Sequence, residues 1–388
     1  MGKVKEFNGN DYVYSTLEVN QINQTDMNNL LNFVKEHKNI YLFGEGACGT
    51  GMAHYLSVCG FKNIRGNITS VSFNQKLHNY KMNEDGIILA LKSDYYPEVL
   101  PIILDKIKIS DILFLKENTK NIFVKTFSKE YIKNNMWISL PLALHCNINC
   151  ASCNMFSPLC DKEIYLLEDI KRDLTILKKN QVNFTRFNIT GGEPFLNTDI
   201  LKILRYIRSE FAEKKIDLYT NGIIMSSLSD EDLRILSEYK IEFHITEYAG
   251  TQKYLNALYP RLDRLGIQYV LDYMDDNKLF YKKIIDFDKK VPIYNYINCQ
   301  YYTYCFSFFI YNGKMYKCPM AMQARNINMH TDKKIEITEK DYLDLNKINS
   351  TDQIYDFWKT RMPMCDYCPR VNESIRWRKS EKKIEEWL

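Results

Sequence analysis

What the chain lacks narrows it first. No apolar stretch approaches the ~18 residues of a membrane-spanning helix, and the opening MGKVKEFNGNDYVYS has no apolar core of the secretory kind. A cytoplasmic protein without membrane contact is expected. H-E-x-x-H, G-x-S-x-G and the P-loop are all absent, which removes the zinc-protease, serine-hydrolase and P-loop phosphotransfer routes. Charge of one sign is scarce: 52 basic against 48 acidic residues leave a net charge of +4, no basis for a nucleic-acid or acidic-membrane partner. Without an export signal, the 11 cysteines read as reduced thiols or metal ligands, not as a disulfide framework. The 388 residues, 45% of them hydrophobic, suffice for two or three globular domains.

The cysteines that are there form patterns. LHCNINCASCN places Cys146, Cys150 and Cys153 in a Cys-x₃-Cys-x₂-Cys run. Three thiolates on one short loop hold three corners of a 4Fe–4S cluster and leave the fourth iron open to a small molecule. FNITGGEP follows, where Gly191 and Gly192 place no Cβ between backbone and ligand and Glu193 offers a charge to an ammonium. LYTNG follows in turn, with Thr220 and Asn221. In this order the motifs resemble those of the radical S-adenosylmethionine (radical SAM) superfamily.

That resemblance implies an incomplete (β/α)₆ barrel in which the amino and carboxylate groups of SAM chelate the open iron. One electron then cleaves SAM to methionine and a 5′-deoxyadenosyl radical, which takes a hydrogen atom from substrate. It assigns Gly191, Gly192, Glu193 and Pro194 to the methionine end of SAM. Thr220, Asn221 and Thr246 become candidates for its ribose and carboxylate, with strand-end capping as their alternative role. In the family the residue before the third cysteine is aromatic and lies near adenine. Here it is Ser152, and Phe156 is the candidate to take that place. Incidental thiols or part of a zinc site are the alternative for the cysteine run.

The expected fold class is α/β in three domains. Residues 1–130 contain the strand NIYLF, the turn GEGACGTG and a helix ending at Gly60, with G-x-G-x-x-G at Gly44, Gly46 and Gly49. DGIILAL and DILFLK add strands of a parallel sheet. The region resembles small Rossmann-like domains of surface-sugar assembly enzymes. Gly44 permits a tight turn, and Gly46 would admit a diphosphate to the helix N-terminus. The acidic residue expected at the end of the next strand is missing, with Asn67 and Ser70 in its place. A turn that only allows close helix–strand packing is the alternative.

Residues 131–290 alternate helix and strand, as a parallel sheet with outer helices requires. Residues 291–388 carry five more cysteines around a hairpin turn at Asn312-Gly313. Hairpin cysteines with a distant Cys-x₂-Cys resemble the twitch or SPASM extensions that follow some radical SAM barrels. The resemblance implies one auxiliary 4Fe–4S cluster on four of Cys299, Cys305, Cys318, Cys365 and Cys368. Cys305 is preferred and Cys299 stays open; a zinc ribbon is the alternative. The tail RVNESIRWRKSEKKIEEWL reads as a charged surface helix.

The function expected is radical SAM chemistry on a sugar, nucleotide sugar or related metabolite, oxidising or rearranging it, with flavodoxin or ferredoxin as electron donor. Cys160 is a speculative hydrogen donor. Maturation of a ribosomally made peptide is the second reading, and an iron–sulfur redox sensor the reading from another class.

Overall fold

The computed structural model describes residues 5–6, 25–70, 72–73, 77–127, 135–248, 250–273, 279–281, 284–289, 299, 306–369 and 374–388. Two sheets dominate it. The smaller takes the order β3-β2-β4-β5, all parallel, from β2 (Asn39–Phe43), β3 (Ile64–Ile68), β4 (Asp85–Leu89) and β5 (Ile112–Leu113). Beyond Asn39 and Asp85 at their starts, its central strands carry no polar side chain but Tyr41, because both faces are covered. Ile40, Leu42 and Ile88 pack with α1 (25–36), α2 (Ala47–Val58) and α4 (Glu117–Phe127). Tyr41, Phe43, Ile87 and Leu89 pack with Val99 and Ile103 of α3 (Tyr96–Leu104).

The larger sheet runs β1-β10-β9-β8-β7-β6-β12-β13-β14. Strands β6 (Trp137–Ala143), β7 (Arg186–Gly191), β8 (Lys215–Thr220), β9 (Ile241–Glu247) and β10 (Tyr269–Tyr273) pair in parallel, each with the next. Helices α5 (Leu167–Lys179), α6 (Ile200–Glu210), α7 (Asp230–Glu238) and α8 (Gln252–Arg264) connect them. Helical spacing explains α6, whose Ile200, Ile203, Leu204 and Ile207 are buried. On α5, Glu168 and Asp169 sit in the first turn and Lys178 and Lys179 in the last, each sign complementing the helix dipole. Phe187, Ile189, Ile216, Leu218, Phe243 and Ile245 enter one core with these helices.

Two boundaries differ from the expected ones. Strand β1 (Lys5–Glu6) pairs in parallel with β10, so the chain's start joins the larger sheet. Strand β12 (Ser307–Tyr311) pairs in parallel with β6, Ser307 opposite Trp137, so the hairpin extends that sheet and forms no separate layer. The hairpin itself forms as expected: β12 turns at Asn312 (φ 47°) and Gly313 (φ 74°) into β13 (Lys314–Tyr316). Both central residues are left-handed, as a tight hairpin requires. After it come α9 (Pro319–Asn328), β14 (Leu343–Asp344) and α10 (Thr351–Lys359).

The tail is not a surface helix. Its described residues form β15 (Ser374–Arg376), antiparallel to β11 (Leu279–Tyr281), and one short turn at Ile384–Trp387. Trp387 is fully buried. No helix among the described residues is long and apolar enough to cross a membrane.

Candidate active site

Strand β6 delivers the cysteine loop. Asn149 (φ 54°), Ser152 (φ 52°) and Phe156 (φ 56°) take left-handed conformations within it. These unusual dihedrals let so short a segment fold back on itself. Cys146, Cys150 and Cys153 are free thiols. Burial pushes the Cys146 thiol up to about 12 and raises that of Cys150, and the neighbouring sulfurs raise both further. Three thiols brought to one short loop are the donor chemistry of an iron–sulfur cluster.

The paired glycines approach protein, not solvent. A Cβ on Gly191 (φ 138°) would lie 2.2 Å from the Ala143 carbonyl oxygen, and one on Gly192 2.0 Å from that of His145. The Gly192 N–H donates to Ala143 O (2.7 Å) and that of Glu193 to His145 O (3.1 Å). The end of β7 is thereby stitched to the segment leading into Cys146. Glu193 also departs from expectation. Its carboxylate is fully buried: Oε1 accepts from Thr220 Oγ1 (2.8 Å) and Phe195 N (3.2 Å), Oε2 from Asn221 N (2.9 Å). Desolvation raises its pKa to about 7. Glu193 clasps β7 to β8. Pro194 follows it in a buried turn.

Thr220 is likewise turned inward, towards Glu193 and Gly222 N. Asn221 reaches the loop, its Nδ2 donating to Asn147 Oδ1 (2.7 Å) and standing 3.8 Å from Cys146 Sγ. Thr246 is half-buried at the end of β9. Ser152 is buried and donates to Glu386 O (2.7 Å), and the Phe156 ring, also buried, lies 6.0 Å from that of Trp387. Neither faces an open surface, because the tail covers both.

That tail is what sequence reasoning missed. Ala151 N donates to Arg378 O (2.9 Å), Ser380 N to Asn149 O (2.7 Å), and Trp387 Nε1 to Cys153 O (3.2 Å). Trp377 Nε1 donates to Cys150 Sγ at 3.1 Å. Two tryptophans in an otherwise charged segment were the available signal.

Residues 140–274 match the family model of the Radical SAM superfamily. This segment is a radical SAM domain. In it the chain stands with the enzymes of that superfamily, whose chemistry implies a 4Fe–4S cluster and SAM. The chain resembles a probable GTP 3′,8-cyclase of Thermoplasma volcanium, 34% identical over 96 residues, which cover 24% of this chain and 28% of that protein. It resembles a GTP 3′,8-cyclase of Trichodesmium erythraeum at 29% over 100 residues, 24% of this chain and 30% of that protein. The chain thus spans under a third of the length of these relatives. Among solved structures, BtrN in complex with AdoMet and 2-DOIA aligns at 14% identity and a TM-score of 0.39, covering 61% of this chain and 94% of that one. Streptococcus suis SuiB bound to S-adenosylmethionine aligns at 14% and 0.30, covering 62% and 70%. These two likenesses are too loose to carry an argument.

Beyond the radical SAM domain, a second cysteine group forms. Cys299, Cys318 and Cys365 lie close enough to Lys317 to act on its charge, and Cys299 and Cys368 close enough to act on Cys365; Cys305 falls outside the described residues. Lys317 is buried, its Nζ donating to the carbonyls of Phe357 (2.7 Å), Trp358 (3.4 Å) and Thr360. Burial lowers its pKa to about 7, against the pull of the nearby thiols. Burial pushes Cys365 up to about 12. Cys299 and Cys365 also pack against the core beneath α1 and α2.

Cys160 is half-buried beside the loop, close enough to Cys153 for the two thiols to act on each other, its own thiol donating to Phe156 O (3.3 Å) and meeting Asn326 Nδ2 (3.5 Å). In the N-terminal glycine turn, a Cβ on Gly44 would lie 2.5 Å from Ala90 O and one on Gly49 1.9 Å from Gly44 O. Asn67 Nδ2 closes the turn on Gly44 O (2.7 Å). These two glycines serve packing, whereas a Cβ on Gly46 meets nothing within 4 Å.

One further group went unread in the sequence. Donor atoms of Asp217, Glu242 and His244 lie within 4.8 Å of one another on the sheet face away from the helices. Arg186 Nη1 pairs with Asp217 (2.8 Å), which already neutralises the buried carboxylate.

Proposed function

We propose that the protein is a radical SAM enzyme that takes a hydrogen atom from a sugar, nucleotide sugar or related metabolite. The observation that carries the reading is the meeting of the cysteine loop, the paired-glycine turn and Asn221 at the C-terminal ends of three adjacent parallel strands, where barrels of this kind do their chemistry. Cys146, Cys150 and Cys153 would hold the 4Fe–4S cluster, which when bound supplies the electron that cleaves SAM. The chain's own residues fix this site. Gly191 and Gly192 hold the β7 turn against the loop, Glu193 locks β7 to β8, and Asn221 brings an amide to the Cys146 sulfur. The tail excludes water from the loop's other side.

One auxiliary 4Fe–4S cluster would use four of Cys299, Cys305, Cys318, Cys365 and Cys368, with Lys317 offsetting thiolate charge. Four sulfurs close every iron and suit electron transfer from a substrate radical, hence net oxidation. The parallel N-terminal sheet and the open position at Gly46 support a nucleotide-bearing sugar over a peptide. GTP, the substrate in the relatives' names, is also a nucleotide and belongs in the same panel.

The test is anaerobic reconstitution with iron and sulfide, then SAM and a strong reductant with deuterated nucleotide sugars, GTP and peptides. Deuterium arriving in 5′-deoxyadenosine identifies the substrate and the position attacked. An intact cluster that yields no 5′-deoxyadenosine would leave the redox sensor in its place.

A further inference from the structure

Of the three sulfurs on the cysteine loop, one has a strong side-chain donor aimed at it. Trp377 Nε1 lies 3.1 Å from Cys150 Sγ, within the range of an N–H···S hydrogen bond. Asn221 Nδ2 stands farther from Cys146 Sγ, at 3.8 Å, and divides its donors with Asn147 Oδ1. Trp387, the other tail tryptophan, donates to the Cys153 carbonyl and not to its sulfur.

The indole is placed from both sides by backbone. Upstream, β15 pairs with β11, Ile375 opposite Phe280. Downstream, Lys379 bridges Cys150 itself, flanked by the bonds from Ala151 N to Arg378 O and from Ser380 N to Asn149 O. The Tyr248 ring, 6.2 Å away, packs at its side. A residue so held does not merely fill space: its ring N–H meets a sulfur of the cysteine loop.

We propose that Trp377 is a positioning residue of the cluster on Cys146, Cys150 and Cys153, holding the Cys150 sulfur and raising the potential at which that cluster accepts an electron. The inference rests on the reading of the loop as a cluster site. Its physics is simple. Reduction adds one negative charge, partly borne by the thiolate sulfurs, and an N–H dipole pointed at a sulfur stabilises that charge. The electron comes from a one-electron reductant, dithionite in the test. No bond forms or breaks at Trp377, and its proton stays on the indole.

The experiment is a redox titration of the reconstituted full chain, followed by electron paramagnetic resonance. Trp377→Phe keeps the ring and removes the donor. It is expected to lower the one-electron reduction equilibrium about tenfold, or about 59 mV, with iron and sulfide content unchanged. Trp137→Phe, the same change of ring at the start of β6, where the indole packs on Arg186, is expected to leave the potential where it was. A Trp377→Phe protein with a full cluster and the wild-type potential overturns the proposal. Should that variant fail to load iron, indole ¹⁵N labelling of the wild-type chain decides. A hyperfine coupling of one indole nitrogen to the reduced cluster supports the bond, and its absence overturns it. A wild-type chain that never assembles a cluster refutes the cluster reading itself, a result distinct from either.

Discussion

Cys146, Cys150 and Cys153 share one loop between β6 and α5, and backbone bonds from β7 and from the tail hold that loop on two sides. The second group is gathered from afar: Cys318 at the start of α9, Cys365 and Cys368 in the turn after α10, Cys299 from before β12. The buried group beside the first loop is a carboxylate, Glu193, held by three donors. The buried group beside the second set is an ammonium, Lys317, held by three carbonyls. A site made on one loop depends on the backbone that shapes the loop. A site made from distant segments depends on the packing that brings them together, here including the core under α1 and α2.

Removing cysteines breaks the comparison most sharply. Alanine at Cys146, Cys150 and Cys153 together is expected to abolish 5′-deoxyadenosine formation and leave only the auxiliary iron. Alanine at Cys365 and Cys368 is expected to do the reverse: SAM cleavage persists, while about half the iron is lost. Iron analysis and chromatography of the SAM products check both. Equal loss of SAM cleavage in the two proteins would show that the groups are not separable.

Next in size is the glycine pair. Gly192→Ala sets a Cβ 2.0 Å from the His145 carbonyl oxygen, so the segment entering Cys146 must move. The expected cost is about 3 kcal/mol, with loss of cluster loading. Gly46→Ala, at the N-cap of α2, meets nothing within 4 Å and should cost under about 1 kcal/mol. Denaturant melts of the two variants measure the contrast, and similar costs would mean that the turn of β7 relaxes. A smaller loss, about 1 kcal/mol, is expected for Ser152→Ala, which removes the hydroxyl bond to Glu386 O and with it one tie between loop and tail.

The same contrast explains what the sequence made legible. Cys-x₃-Cys-x₂-Cys and Gly-Gly-Glu-Pro are local patterns, and the helices and strands around them follow from local periodicity, so the alternation expected over residues 131–290 forms, as in α6 and β8. The turn at Asn312-Gly313 was legible for the same reason. The pairing of Ser307 with Trp137 was not, because nothing near either residue encodes a partner so distant in the chain. Nor was the tail: charge at helical spacing suggested a surface helix, while its backbone groups bond to the cysteine loop. Glu193 was read in the motif for its charge, and its protein partners were not. Sequence shows the charge and not that Thr220 and Asn221 have already enclosed it.

The smallest effects are titrations, and the two sites should show opposite signs. Burial raises Glu193 to about 7, above its ordinary carboxylate value, so between pH 4.5 and 7 the folded chain binds more protons than the unfolded one. Its contribution to stability is therefore full below the unfolded value and declines as pH rises through 7. Lys317 is lowered to about 7, so from there upward the unfolded chain binds more protons and stability rises with pH. Cys365, pushed up to about 12, adds a falling contribution once unfolded thiols begin to ionise, which confines the clean window to roughly pH 7 to 8.5. In iron-free protein, Glu193→Gln is expected to flatten the fall between pH 4.5 and 7, and Lys317→Met the rise between pH 7 and 8.5. Thermal melts across both windows read the slopes directly. A Lys317→Met chain that keeps the wild-type rise would place the titrating group elsewhere, and would remove the ammonium from any account of how the second set of cysteines is balanced.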